Sequence, residues 1–372
     1  MRALALLILL AGCDPGVAPE DAGADGGVDG GSEGGVDGGS DGGAALDGGQ
    51  DGGVDAGSDA GMPGCAGPPG LYADGSCTEL AEGVRAYRPR FELWSDGTEK
   101  ERFVHLPAGT QIDTSDPDNW GFPLGTRLYK TFSREGRRLE TRLLEKVSEA
   151  RGPDGWTMRA YAWSADQRSV SEVGPFGARD VLGTEHDVPT RQQCVRCHSV
   201  APDDVAVGFS AIQLAHDEGG VTLASLAAEG RLSAAIPSAL VPGDAREQAA
   251  LGDLHGTCGN CHGGASAEHG LDLWLRVGAS DVASTPSFTT SVCTCSVWSA
   301  TGPGGEVVDL RVAPGAPDLS VFIHRMRSRI ATDMMPPMGT EHADEEGLRV
   351  LSEWIASLSE DANGCPHGCP FP

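Results

Sequence analysis

Two short motifs carry the residue types that could do chemistry. The segments "CVRCH" (194–198) and "CGNCH" (258–262) each place two thiols three positions apart with a histidine directly behind the second. Two thiols at this spacing can add to the two vinyl groups of one porphyrin, and the histidine then reaches the iron. A redox dithiol or half of a zinc site would explain one copy. Two copies, neither followed by a second Cys or His pair at zinc-finger spacing, predict two covalently bound haem c groups instead.

The predicted cofactor-binding residues are Cys194, Cys197, His198, Cys258, Cys261 and His262, with His198 and His262 as ligands of the two irons. The segment "TDMMPPMGT" (332–340) predicts a sixth ligand for the second haem. Met335, which precedes the two prolines, is the first choice, followed by Met338 and then Met334. A His/Met pair would raise the potential of that iron.

The first motif lacks a methionine of this kind, because residues 199–257 contain none. His216 is the nearest downstream candidate for its sixth ligand. Four further candidates stand behind it: His186, His255, His105 and Met158. A five-coordinate iron with one open face is the alternative, and it would matter for function.

The elements that must position the second motif show helical periodicity. Residues 244–255 predict a helix that leads into Cys258, and 316–330 and 344–358 predict two helices after it. Their apolar faces would be Leu319, Phe322, Ile323 and Met326, and Leu348, Leu351, Ile355 and Leu358. Residues 243–359 are therefore predicted to form a cytochrome c-like domain with an insertion at about 271–312.

Residues 85–185 show a different pattern, with short alternating runs separated by turn residues at roughly ten-residue spacing. The runs are "RFELW", "RFVHL", "TRLYKTF", "ETRLLEKV" and "WTMRAYAW". This pattern predicts a β-sandwich-like domain. Its large aromatics, Trp94, Trp120, Trp156, Tyr161 and Trp163, are expected to be core residues, and a ligand cleft is the alternative.

The N-terminal segment "MRALALLILLAGC" has one basic residue, a short apolar run and a small residue before cysteine. This layout predicts a signal peptide at 1–12. The ending "LAGC" resembles a bacterial lipobox, which implies acylation of Cys13, whereas an ordinary signal would leave this cysteine for a disulfide. Residues 13–62, rich in Asp and Gly, are predicted to be a disordered tether. The protein is thus expected to be exported and lipid-anchored to a bacterial membrane, on the periplasmic face or at the cell surface.

The remaining cysteines form an even set: Cys65, Cys77, Cys293, Cys295, Cys365 and Cys369. Three disulfides are expected outside the cytoplasm, and a Cys65–Cys77 pair would close a short loop. The cysteines of "CTC" (293–295) are expected to bond to distant partners. The rest of the chain divides into a linker (63–84), a first haem segment (186–242) and a tail (360–372).

The charge balance limits the class of partner. Setting aside Arg2 and the 12 acidic residues of the tether leaves 42 acidic and 26 basic residues, a net charge of about −16. Such a surface repels phosphates, so nucleic acid is not expected as a partner. A redox protein with a basic docking surface would be attracted.

Five segments together resemble a family of bacterial di-haem c-type cytochromes, many of them lipoproteins without an assigned reaction. They are "WSDGTEKERFVHLPAGTQI", "WGFPLGTRLYKTFS", "ETRLL", "YAWSADQ" and "QQCVRCH". The resemblance covers roughly residues 85–358 and implies the two covalent haems and the Met335 ligand named above. Where that family would have asparagine after "QL", this chain has "AH", so the resemblance does not support His216 as a ligand.

These patterns predict a multidomain α+β protein, with a β-sandwich-like domain followed by a mostly helical di-haem region. The expected function is single-electron transfer between a donor and an acceptor protein, without catalysis of its own. One alternative is a di-haem peroxidase or oxidase whose first haem is open. Another is the haem subunit of a dehydrogenase complex, with a ligand-binding β-domain.

Overall fold

The computed structural model describes residues 64–199, 205–264, 268–359, 365 and 369. These residues belong to one compact unit, Asp59–Pro372. They combine antiparallel sheet with helices, so the predicted mixed α+β class is confirmed. The predicted signal peptide, the predicted acylation site Cys13, the predicted tether and all of the tail except Cys365 and Cys369 lie outside the described residues.

Six strands form one antiparallel sheet in which every strand pairs with the next in sequence. They are β1 (Val84–Tyr87), β2 (Glu99–His105), β3 (Arg127–Arg134), β4 (Arg137–Lys146), β5 (Trp156–Trp163) and β6 (Val170–Glu172). The sequence runs at 102–106, 126–132, 140–147 and 156–163 correspond to β2 to β5. Residues on alternate positions of these strands face opposite sides of the sheet.

Both faces of this sheet are covered, but not by a second sheet. On one face Phe103, Tyr129 and Leu143 pack with Leu71 of the preceding linker. On the other face Val104 and Leu128 share a core with residues from the segment after the first motif, such as Phe209. The described strands of this region therefore form a single sheet, not the two facing sheets of the expected sandwich. The alternating sequence pattern identifies a strand, but not what covers its faces.

The linker is closed by a Cys65–Cys77 disulfide, with a Cα–Cα distance of 5.5 Å, as its short loop predicted. The run "RFELW" (90–94) is not a strand, contrary to the sequence pattern. The backbone of this run is instead hydrogen-bonded to Gln213, a helical residue. The Arg90 N–H donates to the Gln213 carbonyl, and the Phe91 N–H donates to the Gln213 side chain. The segment therefore links the sheet to the helices.

Seven α-helices are described: α1 (Arg191–Cys197), α2 (Ala211–Leu214), α3 (Leu223–Ala228), α4 (Ala245–Asp253), α5 (Pro286–Ser291), α6 (Val321–Arg327) and α7 (Glu345–Ser357). Short 3-10 turns lie at Gly152–Gly155, Val181–Gly183, Glu268–Gly270, Val282–Ser284 and Pro317–Leu319, and a π-helical turn at Leu254–Cys258. Within the described ranges, no helix has the length and apolar character needed to cross a bilayer.

The helices predicted around the second motif are present as α4, α6 and α7. α4 packs against α7, and a core containing Leu254, Ile323 and Leu351 joins them to α6. The predicted insertion contains α5 and a hairpin of two further strands, β7 (Cys295–Thr301) and β8 (Val307–Leu310).

Two disulfides attach the tail to this region. Cys293 pairs with Cys365 and Cys295 with Cys369, at Cα–Cα distances of 4.6 and 5.6 Å. Both cysteines of "CTC" thus have partners more than seventy residues away in sequence.

Candidate functional site

Each of the two motifs forms a helical turn, and the two turns have the same hydrogen-bond pattern. α1 ends at Cys197, and the His198 N–H donates to the carbonyl of Cys194 at 3.0 Å. In the second motif the His262 N–H donates to the carbonyl of Cys258 at 2.9 Å. Residues four apart in a helical turn lie on the same side of it. Each turn therefore places its first cysteine and its histidine side by side.

The second cysteines of the two motifs meet in space. The Sγ atom of Cys197 lies 3.7 Å from that of Cys261, although the residues are 64 positions apart. A disulfide would bring the sulfurs to about 2.05 Å, so this is a contact between two thiols. The four motif cysteines are free, in contrast to the six paired ones. No group of three or more Cys, His, Asp or Glu side chains within the described ranges converges to hold a bare metal ion.

The contact between the two sulfurs sets their ionisation. The hydrogen bond from Cys261 lowers the pKa of Cys197 to about 7, and the cations Arg142 and Lys130 act in the same direction. The same hydrogen bond raises the pKa of Cys261, and burial raises that of Cys258.

His198 is held in one tautomer by the backbone. Its Nδ1 lies 2.6 Å from the carbonyl oxygen of Val205. A carbonyl only accepts, so Nδ1 carries the proton and Nε2 keeps a free lone pair. Burial lowers the pKa of His198 to about 4, which leaves the ring neutral at physiological pH. A neutral imidazole oriented through its other nitrogen is the form that binds metals in proteins.

The His198 pocket, as we name the cavity beside this ring, has a largely aromatic wall. It is lined by Asp118, Asn119, Trp120, Phe122, Cys197, His198, Val205, Ala206, Val207, Phe209, Ser210 and Trp274. The rings of Trp120 and Phe122 lie 6.1 and 5.7 Å from the Phe209 ring. Sequence analysis expected Trp120 to be a core residue, and it is both 3% exposed and part of this wall.

Trp274 connects the surroundings of the two motifs, and sequence analysis missed it. It lines the His198 pocket, and a Cβ atom on Gly263, next to His262, would lie 3.0 Å from its own Cβ. The signal available in the sequence was a lone tryptophan twelve residues after His262, inside a segment interpreted as an insertion.

The histidines predicted as sixth ligands for the first haem are engaged elsewhere. His216 Nε2 donates to the Arg88 carbonyl at 2.7 Å, and His186 Nε2 donates to the Glu140 carboxylate at 2.9 Å. His255 Nδ1 accepts the Leu275 N–H at 3.2 Å, so its proton sits on Nε2. Each of these rings is thus hydrogen-bonded through one nitrogen, and the choice among them as iron ligand stays a prediction.

The other two candidates, His105 and Met158, do not line the His198 pocket, although Met158 packs against the core that contains Trp120 and Phe209 of its wall. His105 is half-buried on β2 beside Gly83, and Met158 packs against the core of the sheet. Among the described residues that line the His198 pocket, none is one of the five candidates.

The second motif follows α4 through the π-helical turn Leu254–Cys258. Such turns within helices occur frequently at functional sites. Cys258 packs against the core formed by α4, α6 and α7. Close to it, burial together with the charge of Asp344 raises the pKa of Asp253 to about 7.

The methionine loop is fastened to α6. The Met335 N–H donates to the Arg325 carbonyl at 2.9 Å, and the Arg329 guanidinium donates to the Met335 carbonyl at 3.4 Å. Met334, Met335 and Met338 are all half-buried. These backbone contacts hold the loop on the helix that packs in the core around Cys258. The choice of Met335 as iron ligand, ahead of Met338, stays a prediction.

The chain was compared with protein-family models, curated proteins and solved structures. No family model matches the chain, and neither a curated protein nor a solved structure matches it.

Proposed function

We propose that this protein is a di-haem c-type cytochrome, anchored to a bacterial membrane through Cys13, that transfers single electrons outside the cytoplasm. One observation carries the proposal. Two CxxCH motifs with the same local turn are brought together so that Cys197 and Cys261 touch, at a sulfur–sulfur distance of 3.7 Å.

The residues present fit the cofactor. Cys194 and Cys197 would hold the first haem, with His198 as iron ligand, and "CGNCH" (258–262) would hold the second in the same way. The hydrogen bond from Nδ1 to Val205 leaves Nε2 of His198 available to a metal. When bound, each haem supplies the one-electron couple of its iron.

The chain contributes three things to this function. The contact of Cys197 with Cys261 fixes the attachment points of the two cofactors next to each other. Burial of His198 lowers its pKa, which favours the uncharged form of the histidine. Trp274 lies beside both motifs, in the lining of the His198 pocket and next to Gly263.

In this proposal, residues 243–359 form the cytochrome c-like part of the molecule. α4 leads into the second motif, α7 crosses α4, and the loop with Met335 lies between α6 and α7. The sheet and the segment 186–242 then form the part that encloses the first haem.

A second candidate is a peroxidase-like enzyme with an open first iron. It is favoured by the lining of the His198 pocket, whose described residues include no histidine or methionine besides His198 itself. In that case peroxide would alter the spectrum of the first haem, whereas the spectrum of a pure electron carrier would not change.

The proposal is tested by counting covalent haems with intact mass spectrometry on the exported, matured protein. We expect two haems in the wild type, and one each in Cys194→Ala/Cys197→Ala and in Cys258→Ala/Cys261→Ala. The control Cys65→Ala/Cys77→Ala removes a disulfide and should retain both. A wild-type protein without covalent haem, matured in a host that loads other c-type cytochromes, would overturn the proposal.

A further inference from the structure

Three cations stand side by side on the sheet face toward the first motif. Across β2, β3 and β4, Arg102 is directly opposite Lys130, and Lys130 is directly opposite Arg142. Lys100 lies two positions before Arg102 on β2, and therefore on the same face of the sheet. Like charges directly opposite each other in a sheet destabilise it, and burial increases the cost. We call Lys100, Arg102, Lys130 and Arg142 the sheet-face cation cluster.

At one end of the cluster the charges are balanced within the chain. Glu92 lies 3.2 Å from the guanidinium of Arg102 and 4.0 Å from the Lys100 ammonium. Asp96 and Asp344 add negative charge near Lys100. The positive side chains at this end thus have anionic neighbours.

At the other end of the cluster, both oxygens of a single carboxylate, Glu140, already accept hydrogen bonds. Both oxygens of Glu140 accept from the Arg142 guanidinium, at 2.7 and 2.9 Å, and one also accepts from His186. Glu140 is 0% exposed, so water does not complete its charge balance.

Within the described parts of the chain, Lys130 contacts an aromatic ring and no carboxylate. Its Nζ lies 4.8 Å from the centre of the Phe132 ring, and the Arg142 guanidinium lies 4.4 Å from the same ring. Among the described residues, no carboxylate lies within ion-pair distance of Lys130. Burial, together with Arg102 and Arg142, lowers the pKa of Lys130 well below its usual range, as expected for a cation without a counter-ion, and the charged form has three hydrogen-bond donors for an anion.

The first motif lies next to this ammonium group. α1 packs on β5, the neighbour of β4. Leu128 and Leu144, two positions from Lys130 and Arg142 on the same face, share a core with Val205 and Phe209 of the segment after the motif. This cation, which has no anionic partner among the described residues, thus borders the first motif.

We propose that Lys130, with Arg142 beside it, binds a propionate carboxylate of the first haem. This inference rests on the proposed function, because haem is the carboxylate-bearing group for which the first motif is built. It also gives the sheet a role: β3 and β4 supply the anion-binding side of the first haem site, while α1 supplies its covalent attachment.

The test uses matured full-length protein and two readouts, optical redox titration and the propionate bending bands in resonance Raman spectra. In Lys130→Gln we expect one midpoint potential to fall by at least 59 mV, the equivalent of a tenfold change in the one-electron equilibrium constant. The potential falls because loss of a nearby positive charge favours the ferric iron. The propionate bands of that haem should shift, and the other haem should be unchanged. Lys130→Arg should keep both properties close to the wild type.

Lys146→Gln is the matched control, because Lys146 lies on β4 but donates to the Ala150 carbonyl at 2.9 Å. It should change neither readout. Lys130→Met, which keeps the aliphatic stem, is the second variant if the glutamine variant does not fold. A potential that falls without any shift of the propionate bands would overturn the inference, since the charge would then act through space alone. The haem count of the wild type tests the proposed function separately.

Discussion

At the residue scale, Asp253 is a buried carboxyl group close to the second motif. Its Oδ2 atom lacks a hydrogen-bond partner, and burial with the nearby Asp344 raises its pKa to about 7. An acid whose pKa is higher in the folded than in the unfolded chain binds more protons when folded. The stability of the protein should therefore fall as the pH rises from about 4 to about 7, and the loss should stay constant above that.

Asp253→Asn should remove this loss of stability. We expect the variant to match the wild type near pH 4 and to be more stable at pH 8, by at most about 4 kcal/mol, because each pKa unit corresponds to roughly 1.4 kcal/mol. Chemical denaturation at both pH values measures the difference. Asp74→Asn, at an exposed position, is the control. A variant equally destabilised at both pH values would contradict the assignment.

At the scale of elements, the contact of Phe91 with α4 connects the extended segment after β1 to the second motif. Gly252 on α4 is buried, and a Cβ atom there would overlap the ring of Phe91. The backbone of Phe91 is also held by the side chain of Gln213. The helix that leads into Cys258 is thus positioned by residues from the N-terminal half of the chain.

Gly252→Ala should destabilise the protein even though alanine is the better helix former. Overpacking is expected to cost about 1–3 kcal/mol, against a gain in helix propensity of about 1 kcal/mol. Thermal unfolding measures the net loss. Combining it with Phe91→Ala should remove the overlap, so the two effects should not add. The control is Ala249→Gly, at an exposed position of the same helix, which should lower the stability only through the poorer helix propensity of glycine. A Gly252→Ala protein more stable than the wild type would refute the contact.

Elements with a strong local signal could be predicted from sequence. α7 begins after Asp344, whose side chain accepts the Gly347 N–H at 3.0 Å, and it buries Leu348, Leu351 and Ile355 as its periodicity indicates. β2 to β5 follow their alternating runs. The prediction of a strand at 90–94 was wrong, because these residues contact Gln213 and α4 rather than a neighbouring strand.

Features that depend on contacts distant in sequence could not be predicted. The contact of Cys197 with Cys261 joins two motifs whose spacing in sequence says nothing of their distance. Lys130 and Arg142 occupy alternate positions that would face solvent in an ordinary surface sheet, yet here that face is covered by the helices. Trp274 is part of the site for the same reason.

At the scale of the whole molecule, the acidic surface should govern the encounter with a redox partner. The full chain carries a formal charge of −27. Opposite charges on two proteins raise their association rate, and salt screens this attraction. Electron transfer to a small basic redox protein should slow on the order of tenfold between low and high ionic strength. Stopped-flow absorbance measures the rate, with an uncharged mediator as control; a rate independent of salt would contradict a basic partner.

The most direct test of the central claim is the EPR spectrum of the fully oxidised, matured protein, because the account places the attachment points of two haems at Cys197 and Cys261 in contact. The spectrum is compared with the sum of the spectra of Cys194→Ala/Cys197→Ala and Cys258→Ala/Cys261→Ala. We predict two ferric haem signals in the wild type that are broadened by magnetic interaction and are not reproduced by that sum. A wild-type spectrum equal to the sum, or one without any ferric haem signal, would contradict the account.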